Sequence, residues 1–148
     1  MDGAASEIAL IDVNKEKAEG EAMDLQHGLQ FKPDAKISFG NDYKLCEDAE
    51  IVVICAGAHQ KPNETRLELV NKNSAILKEM IPKIIRHNKD CILLVVANPL
   101  DILTYLALKY SKFPKIRCLA PVPYLTQQGL GTFLANILMS ALTACMHT

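Results

Sequence analysis

The sequence predicts an α/β fold in which parallel strands form an open sheet with helices on both of its faces. Short apolar segments alternate along the chain with helical segments of about ten residues or more, which is typical of parallel strands joined by right-handed crossovers. Two apolar segments, residues 51–57 and 91–97, show no alternation of polar and apolar residues. This pattern is typical of parallel strands that are covered on both faces.

The N-terminal part begins with a short strand over residues 7–12, where an apolar run stops at an acidic residue. Asn14 can then cap a helix that runs to about Gly28, a residue that commonly ends helices. Residues 35–40 alternate as a strand does, and residues 48–50 form a turn before the strand at 51–57.

The next segment is a polar loop over residues 58–66, followed by a long helix in which we expect Pro82 to cause a kink or an interruption. The apolar residues of this helix lie at helical spacing: Val70, Leu77, Ile81 and Ile84. The strand at 91–97 ends in a turn at Asn98 and Pro99, and a further helix covers about 101–111. Residues 115–119 predict a weaker strand, and we find no internal repeat or domain linker.

The composition is that of one ordinary globular domain. The chain has 148 residues, of which 49% are hydrophobic, which excludes a disordered tail or a collagen-like chain. Its 16 basic and 17 acidic residues give a net charge of −1, so the charge balance does not favour nucleic acid as a partner.

Five cysteines are spread along the chain without a C-x-x-C pair, which argues against a disulfide framework or a metal site. Cys55 and Cys91 lie in apolar runs, where we expect a free cysteine to be buried. Residues 1–7 have no cationic segment followed by an apolar one, so a signal peptide is not expected. These features favour a reducing compartment, the cytoplasm.

The C-terminal segment contains no Asp, Glu, Lys or Arg after Arg117, which requires a membrane span to be considered. A span needs about 20 mostly apolar residues, and prolines and glycines interrupt the first half of this segment. In its second half, apolar residues recur at helical spacing and predict one face of a helix. The opposite face would carry Thr132, Asn136, Ser140 and Thr143. We therefore expect an amphipathic helix packed on protein and no membrane span.

Candidate ligand-binding residues follow the predicted strands, since ligands of open parallel sheets bind outside the carboxyl ends of the strands. Asp12 can accept hydrogen bonds from the ribose hydroxyls of a dinucleotide, or simply form a turn. Gly57 can allow a pyrophosphate to approach the backbone, and Asn98 can orient a substrate, but both are also common turn residues.

Arg66 is placed at a helix start, where the helix dipole does not favour a cation. A guanidinium that polarises a carbonyl or holds an acid group would explain this placement, and a solvated surface arginine is the alternative. His59 and His87 have no neighbouring acid or serine in a nucleophile pattern, and we assign neither a catalytic role.

Three segments in order, residues 12–28, 56–70 and 97–105, strongly resemble the bacterial NAD-dependent L-lactate dehydrogenases of the lactate/malate dehydrogenase family. The similarity extends from Ala4 to about Arg117. The resemblance implies a Rossmann-like doubly wound sheet, NAD as cofactor, and oxidoreductase chemistry that transfers hydride between NADH and pyruvate to form (S)-lactate. It also implies a cytoplasmic homo-oligomer that acts in glycolysis and pyruvate fermentation.

The resemblance assigns cofactor contacts at eight positions. Asp12 would hold the adenosine ribose, with Lys17 and Tyr43 along the adenosine side. The remaining implied contacts to the dinucleotide are Gly57, Ala58, Val96, Ala97 and Asn98.

The resemblance also assigns three substrate contacts. Gln60 falls at the position that selects the substrate, where glutamine suits the methyl group of pyruvate and malate dehydrogenases have an arginine. Arg66 matches the catalytic arginine of a mobile loop, which polarises the ketone as hydride arrives. Asn98 matches an asparagine that donates a hydrogen bond to the same oxygen.

The sequence departs from the family before Asp12, where the first strand and its G-x-G-x-x-G turn are absent. That strand is central in the order 3-2-1-4-5-6, so its two neighbours would each lack a partner. Unpaired apolar edges favour aggregation or strand exchange with another chain.

A second departure follows Arg117. Thr126 stands where the family has the aspartate that orients its catalytic histidine, Gly129 where it has the arginine that binds the substrate carboxylate, and Gly131 where it has an anion-binding arginine. The chain ends at Thr148, before the catalytic histidine and the substrate domain. Loss of the acid–base group lowers rates by about 10²–10⁴, so we expect a nearly inactive fragment.

The expected organisation is a partial dinucleotide-binding domain over residues 1–119, a divergent segment with an amphipathic helix over 120–148, and no substrate domain. Two alternatives remain open. One is a non-catalytic interaction protein that pairs through its exposed sheet and its C-terminal helix. The other is a fragment of a malate-type dehydrogenase, which Gln60 disfavours.

Overall fold

The computed structural model describes residues 5–29, 35–58, 62 and 64–120. These residues form two compact units, the first ending at Asp42 and the second covering Tyr43–Ala120. Both units consist of parallel strands and helices, which confirms the predicted α/β class. Within the described ranges, no helix has the length and apolar character needed to cross a membrane. The amphipathic helix predicted after residue 120 lies outside the described residues.

The first unit is a single crossover from one strand through a helix to a parallel strand. Its elements are β1 (Glu7–Ile11), α1 (Lys15–Leu29) and β2 (Lys36–Gly40), and β1 pairs with β2 so that Glu7 lies opposite Lys36. The Asn14 side chain accepts a hydrogen bond from the Lys17 N–H at 3.2 Å, which confirms the predicted helix cap. The helix extends one residue past its expected end at Gly28.

Small side chains on one face of α1 form its buried contacts. Ala18 and Ala22 lie one helical turn apart, and both are buried, at 3% and 0% exposure. Because alanine side chains are short, they let the helix axis lie close to the strands.

The second unit contains three parallel strands in the order β3-β4-β5. Its elements are β3 (Ile51–Ile54), α2 (Arg66–His87), β4 (Ile92–Val95), α3 (Leu100–Ser111) and β5 (Cys118–Leu119), with short 3₁₀ turns at Tyr43–Cys46 and Lys115–Arg117. The weaker strand predicted over 115–119 is therefore a strand only in its last two residues.

Strand β4 is the centre of the second unit. It pairs with β3 on one side and with β5 on the other. Leu93, Leu94 and Val95 have no exposed surface, so the prediction that this strand is covered on both faces is confirmed. The same prediction for β3 is wrong, because the Val53 side chain is 40% exposed.

The two cysteines expected to be buried behave differently. Cys91, just before β4, is 1% exposed, and burial raises the pKa of its thiol to about 11. Cys55 follows the end of β3 and is exposed, which corrects that expectation. An apolar run therefore predicted burial only where the strand has neighbours on both sides.

Helix α2 is continuous through Pro82, which corrects the predicted kink or interruption. Pro82 lies on the exposed face of the helix, so the carbonyl four residues earlier that lacks an N–H partner can bind water instead. Its neighbours Ile81 and Ile84 are buried. Packing of these side chains stabilises the helix across the proline.

Within the described residues, the strands pair as β1–β2 in the first unit and as β3–β4–β5 in the second.

Candidate functional site

Asp12 directly follows β1, and its carboxylate contacts two nearby groups. Its N–H donates to the Gly40 carbonyl at 3.1 Å, and its Oδ1 accepts a hydrogen bond from the Asn14 N–H at 2.9 Å. Its Oδ2 lies 3.7 Å from Lys17 Nζ, and the Asp12 side chain is 35% exposed. Asp12 therefore forms a turn and still presents a carboxylate oxygen to solvent, so the two interpretations of this residue are compatible.

A surface pocket lies beside Asp12 in the first unit. Its volume is about 210 Å³, and it is lined by Leu10, Ile11, Asp12, Lys17, Ala18 and Glu21. Pockets that hold a complete ligand have volumes of about 300–1,000 Å³. This pocket is therefore large enough for one part of a larger ligand, and its lining combines apolar side chains with two carboxylates and one ammonium group.

In the second unit, Arg66 is the first residue of α2 and follows a well-formed helix cap. The Thr65 hydroxyl accepts a hydrogen bond from the Glu68 N–H at 3.3 Å, while Glu68 Oε2 accepts one from the Thr65 N–H at 2.8 Å. The Thr65 N–H and the Thr65 hydroxyl both donate to the Glu68 carboxylate and lower its pKa, the backbone N–H having the larger effect. The negative charge of Glu68 also suits the positive end of the helix dipole.

The residue before the cap is anchored as well. Glu64, with a side chain only 6% exposed, forms an ion pair with Lys72 of α2. Arg66 is exposed, and in the part of the chain that the structure describes it forms no ion pair. The backbone at the start of α2 is thus held by the cap, while Arg66 itself is exposed to solvent.

One buried amide joins the segment after β3 to the turn after β4. Asn73, on α2, is 1% exposed. Its Oδ1 accepts a hydrogen bond from the Ala58 N–H at 2.7 Å, and its Nδ2 donates to the Asn98 carbonyl at 2.7 Å. Asn73 is not among the candidate site residues predicted from the sequence, since an asparagine in an amphipathic helix is usually a surface residue.

Gly57 and Ala97 lie beside this amide. A Cβ atom added at Gly57 would lie 3.4 Å from Asn73 Nδ2 and 3.5 Å from the Cβ of Ala97. The Asn98 side chain is exposed, and among the described residues its amide has no hydrogen-bond partner. Val96 N–H donates to the Ile54 carbonyl at 2.9 Å, which ties the ends of the two strands together.

Tyr43 begins the second unit in a 3₁₀ turn. The Lys83 ammonium lies 5.9 Å from the centre of its ring. Burial raises the pKa of the Tyr43 phenol, and the nearby Lys83 charge opposes this effect. The phenol is therefore neutral at physiological pH and can donate a hydrogen bond.

Comparison with known proteins identifies the family. The family described as lactate/malate dehydrogenase, NAD binding domain, matches residues 1–120. The chain belongs to the lactate/malate dehydrogenase family. It is 57% identical over 115 residues to L-lactate dehydrogenase 1 of Clostridium acetobutylicum, and 56% identical over 117 residues to an L-lactate dehydrogenase of Clostridium botulinum strain Loch Maree. These matches include 78% and 79% of this chain, but 36% of each relative.

Solved structures of the family have the same architecture. A lactate dehydrogenase from a Medee basin deep-sea metagenome library superposes with a TM-score of 0.75 at 46% identity, covering 80% of this chain and 38% of that one. The minor L-lactate dehydrogenase of Enterococcus mundtii superposes with the same TM-score at 42% identity, covering 78% and 37%. These similarities confirm the Rossmann-type fold, and the family domain confirms NAD as its cofactor.

The residues that resemble family contacts fall into both units. Asp12 and Lys17 belong to the first unit; Tyr43, Gly57, Ala58, Arg66, Val96, Ala97 and Asn98 belong to the second. Gln60 lies outside the described residues. In the first unit, the partly exposed Asp12 carboxylate follows β1 and is chemically suited to accept hydrogen bonds from the ribose of a dinucleotide. In the second unit, the exposed amide of Asn98 follows β4. Each group lies at the carboxyl end of a parallel strand, where ligands of such sheets bind.

Proposed function

We propose that this chain is the cofactor-binding part of an NAD-dependent L-lactate dehydrogenase, in which (S)-lactate and NAD are interconverted with pyruvate and NADH. The observation that carries the proposal is the turn after β4. There the Asn98 backbone is held by a buried amide while its side-chain amide stays exposed. High identity to relatives named L-lactate dehydrogenase supports this function over others in the family.

The resemblance to the family supplies the proposed cofactor contacts. The partly exposed Asp12 carboxylate accepts hydrogen bonds from the adenosine ribose, with Lys17 and Tyr43 along the adenosine side. The neutral Tyr43 phenol suits such a contact because it adds no second negative charge near phosphates. The dinucleotide would further contact Gly57, Ala58, Val96, Ala97 and Asn98.

When NAD is bound, the chemistry that it supplies is hydride transfer. Arg66 polarises the ketone of pyruvate and stabilises the negative charge that develops on its oxygen. The Asn98 amide donates a hydrogen bond to the same oxygen. Both groups are exposed in this structure, so a closed site that excludes water would increase their effect.

Gln60 would select pyruvate, because an uncharged side chain does not pair with the second carboxylate of oxaloacetate. This separates the proposal from a malate-type dehydrogenase. Competition between oxaloacetate and pyruvate for the NADH-loaded chain distinguishes the two: tighter binding of oxaloacetate would favour the malate-type enzyme.

The turnover of this chain should be very low, because Thr126 and Gly129 replace two charged residues of the family. We propose a cytoplasmic protein, because the four cysteines of the described part are free, as is usual in a reducing compartment. We also propose that its intact form is a homo-oligomer, as the resemblance to the family implies. NADH oxidation measured with pyruvate tests the activity, and turnover close to that of intact enzymes would contradict the expectation.

Thermal unfolding of the purified chain, with and without NADH, tests the proposal. A ligand present at 100 times its Kd stabilises the folded state by about 2.7 kcal/mol, so the wild-type Tm should rise by several degrees. Asp12→Asn should remove most of this rise. Asp24→Asn is the matched control, since Asp24 is an exposed residue of α1, and it should keep the rise.

Two outcomes of this experiment would overturn the proposal. One is a Tm that does not respond to NADH in the wild-type chain. If the chain also assembles with increasing concentration, the non-catalytic interaction protein is the better description. The other is an equal NADH response in the Asp12 variant and in its control, which would exclude the proposed role of Asp12.

A further inference from the structure

We propose that Asn73 is a positioning residue that sets the spacing between the cofactor-contacting segment after β3 and the ketone-binding Asn98. The inference rests on the proposed function and deepens it. Asn73 is 1% exposed and bridges two backbone positions that are 40 residues apart in sequence, through hydrogen bonds of 2.7 Å each. It also lies two helical turns after Arg66, on the same face of α2.

The first hydrogen bond determines how Ala58 can meet a cofactor. The Ala58 N–H donates to Asn73 Oδ1 and is therefore not available to a phosphate oxygen. Ala58 can then contact a dinucleotide only through its methyl and carbonyl groups. The hydrogen bond also fixes the position of this backbone relative to α2.

The second hydrogen bond orients Asn98. Asn73 Nδ2 holds the Asn98 carbonyl, so the backbone that carries the exposed side-chain amide has one orientation. Errors of about 1 Å in the placement of reacting groups can lower rates about 100-fold. A single amide thus links the position of the cofactor to the position of the ketone-binding group.

An asparagine is well suited to this position, because the site needs one acceptor and one donor at the same time. Aspartate keeps the acceptor but, when ionised, has no donor for the Asn98 carbonyl. Leucine has neither group.

The test uses the 148-residue chain with two probes, NADH and AMP. AMP contains the adenosine and one phosphate of the cofactor and lacks its second phosphate, its second ribose and the nicotinamide. The variants are Asn73→Asp and Asn73→Leu. Asn71→Asp is the matched control, because Asn71 is an exposed asparagine on the same helix. Cooperative melting is checked for each, and hydrogen exchange is followed at the Ala58 amide.

Both Asn73 variants should bind NADH about tenfold more weakly than wild type, as expected when a buried partner is left unsatisfied. AMP binding should change by less than about twofold, since the adenosine contacts do not involve Asn73. The Ala58 amide should exchange slowly in wild type and in Asn73→Asp, and rapidly in Asn73→Leu. The Asn71 control should match wild type in every measurement.

Three results would overturn the inference. Unchanged NADH affinity in the folded variants excludes a positioning role. Equal weakening of NADH and AMP binding indicates a general loss of structure, as does loss of cooperative melting in both Asn73 variants while the control melts normally. If the wild-type chain binds AMP but not NADH, the proposed contacts beyond the adenosine fail and the inference fails with them. If it binds neither, the proposed function itself is wrong.

Discussion

The two units contain the same kind of crossover, but they bury their strands to different depths. In the described residues, none of the apolar side chains of β1 or β2 is fully buried. In β4, by contrast, Leu93, Leu94 and Val95 have no exposed surface. The difference follows from neighbours, because β4 has a paired strand on each side, whereas among the described residues β1 pairs with β2 alone. Burial of a parallel strand is therefore a property of its place in the sheet.

The polar contacts of the two units differ in the same way. The first unit has exposed ion pairs, such as Lys36 with Glu7 at 2.9 Å, whose side chains are 75% and 55% exposed. Pairs of this kind contribute little to stability. The second unit also has exposed ion pairs, such as Lys83 with Glu79. In addition it has two buried amides, Asn73 and Asn88, that hydrogen-bond to the backbone of distant segments. The segment with Arg66 and Asn98 thus has a firmer scaffold than Asp12.

The largest expected effect compares one substitution in both units. Leu93→Ala should lower the free energy of unfolding by about 4 kcal/mol, because it creates a cavity in a fully buried strand. Leu10→Ala, in the half-buried β1, should cost about 1 kcal/mol. Chemical denaturation measures both values, and equal costs would contradict the difference between the units.

The next effect concerns the buried amide of Asn88, which follows α2. Its Nδ2 donates to the carbonyls of Cys46 and Ala49 at 2.7 and 2.8 Å, and its Oδ1 accepts hydrogen bonds from the N–H groups of Asp90 and Cys91 at 3.0 Å each. Asn88→Ala should cost about 3 kcal/mol, since these backbone groups lose their partner. Denaturant unfolding provides the measurement.

The control for this prediction is Asn71→Ala, at an exposed position of α2. Its cost should stay within about 0.5 kcal/mol. If the two alanine substitutions destabilise the chain equally, the buried amides do not account for the firmness of the second unit.

The smallest effect is expected at the start of α2. Thr65→Ala should cost about 1 kcal/mol through loss of the helix cap, whereas Thr65→Ser keeps the hydroxyl and should cost less. Hydrogen exchange of the first α2 amides measures the change. Similar exchange rates in the alanine and serine variants would show that the hydroxyl does not stabilise this end of the helix.

The same cap should depend on pH. The pKa of Glu68 lies below its ordinary value of 4.5, because Thr65 donates hydrogen bonds to the carboxylate. The stabilisation is therefore complete above pH 4.5 and is lost as the pH falls through the lowered pKa. Faster exchange at the start of α2 in acid is expected, and Glu68→Gln should make this exchange less sensitive to pH. An acid response that the substitution leaves unchanged would assign it to another group.

Several features of the fold were predictable from short segments of sequence. The cap at Asn14 and the strand and helix order were confirmed, because they depend on residues a few positions apart. The predictions at Val53 and Pro82 were wrong for a common reason. Val53 lies on the exposed face of a strand, and Pro82 on the exposed face of a helix whose other face is packed. Neither face can be identified without the neighbouring elements.

The candidate site shows the same division. Asp12, Arg66 and Asn98 could be selected from their places after strands or before a helix. Asn73 could not, because its partners Ala58 and Asn98 lie 15 and 25 residues away and contact it only in the folded chain.

The sequence by itself determined the order and type of the elements, their caps, and the family to which the chain belongs, since these depend on local residue patterns and motifs. The tertiary structure decided which strand is central, which helix face is buried, and which asparagine becomes a bridge. These properties arise from packing between distant segments, where a polar group is held only if the backbone partners that it needs are brought within hydrogen-bond distance.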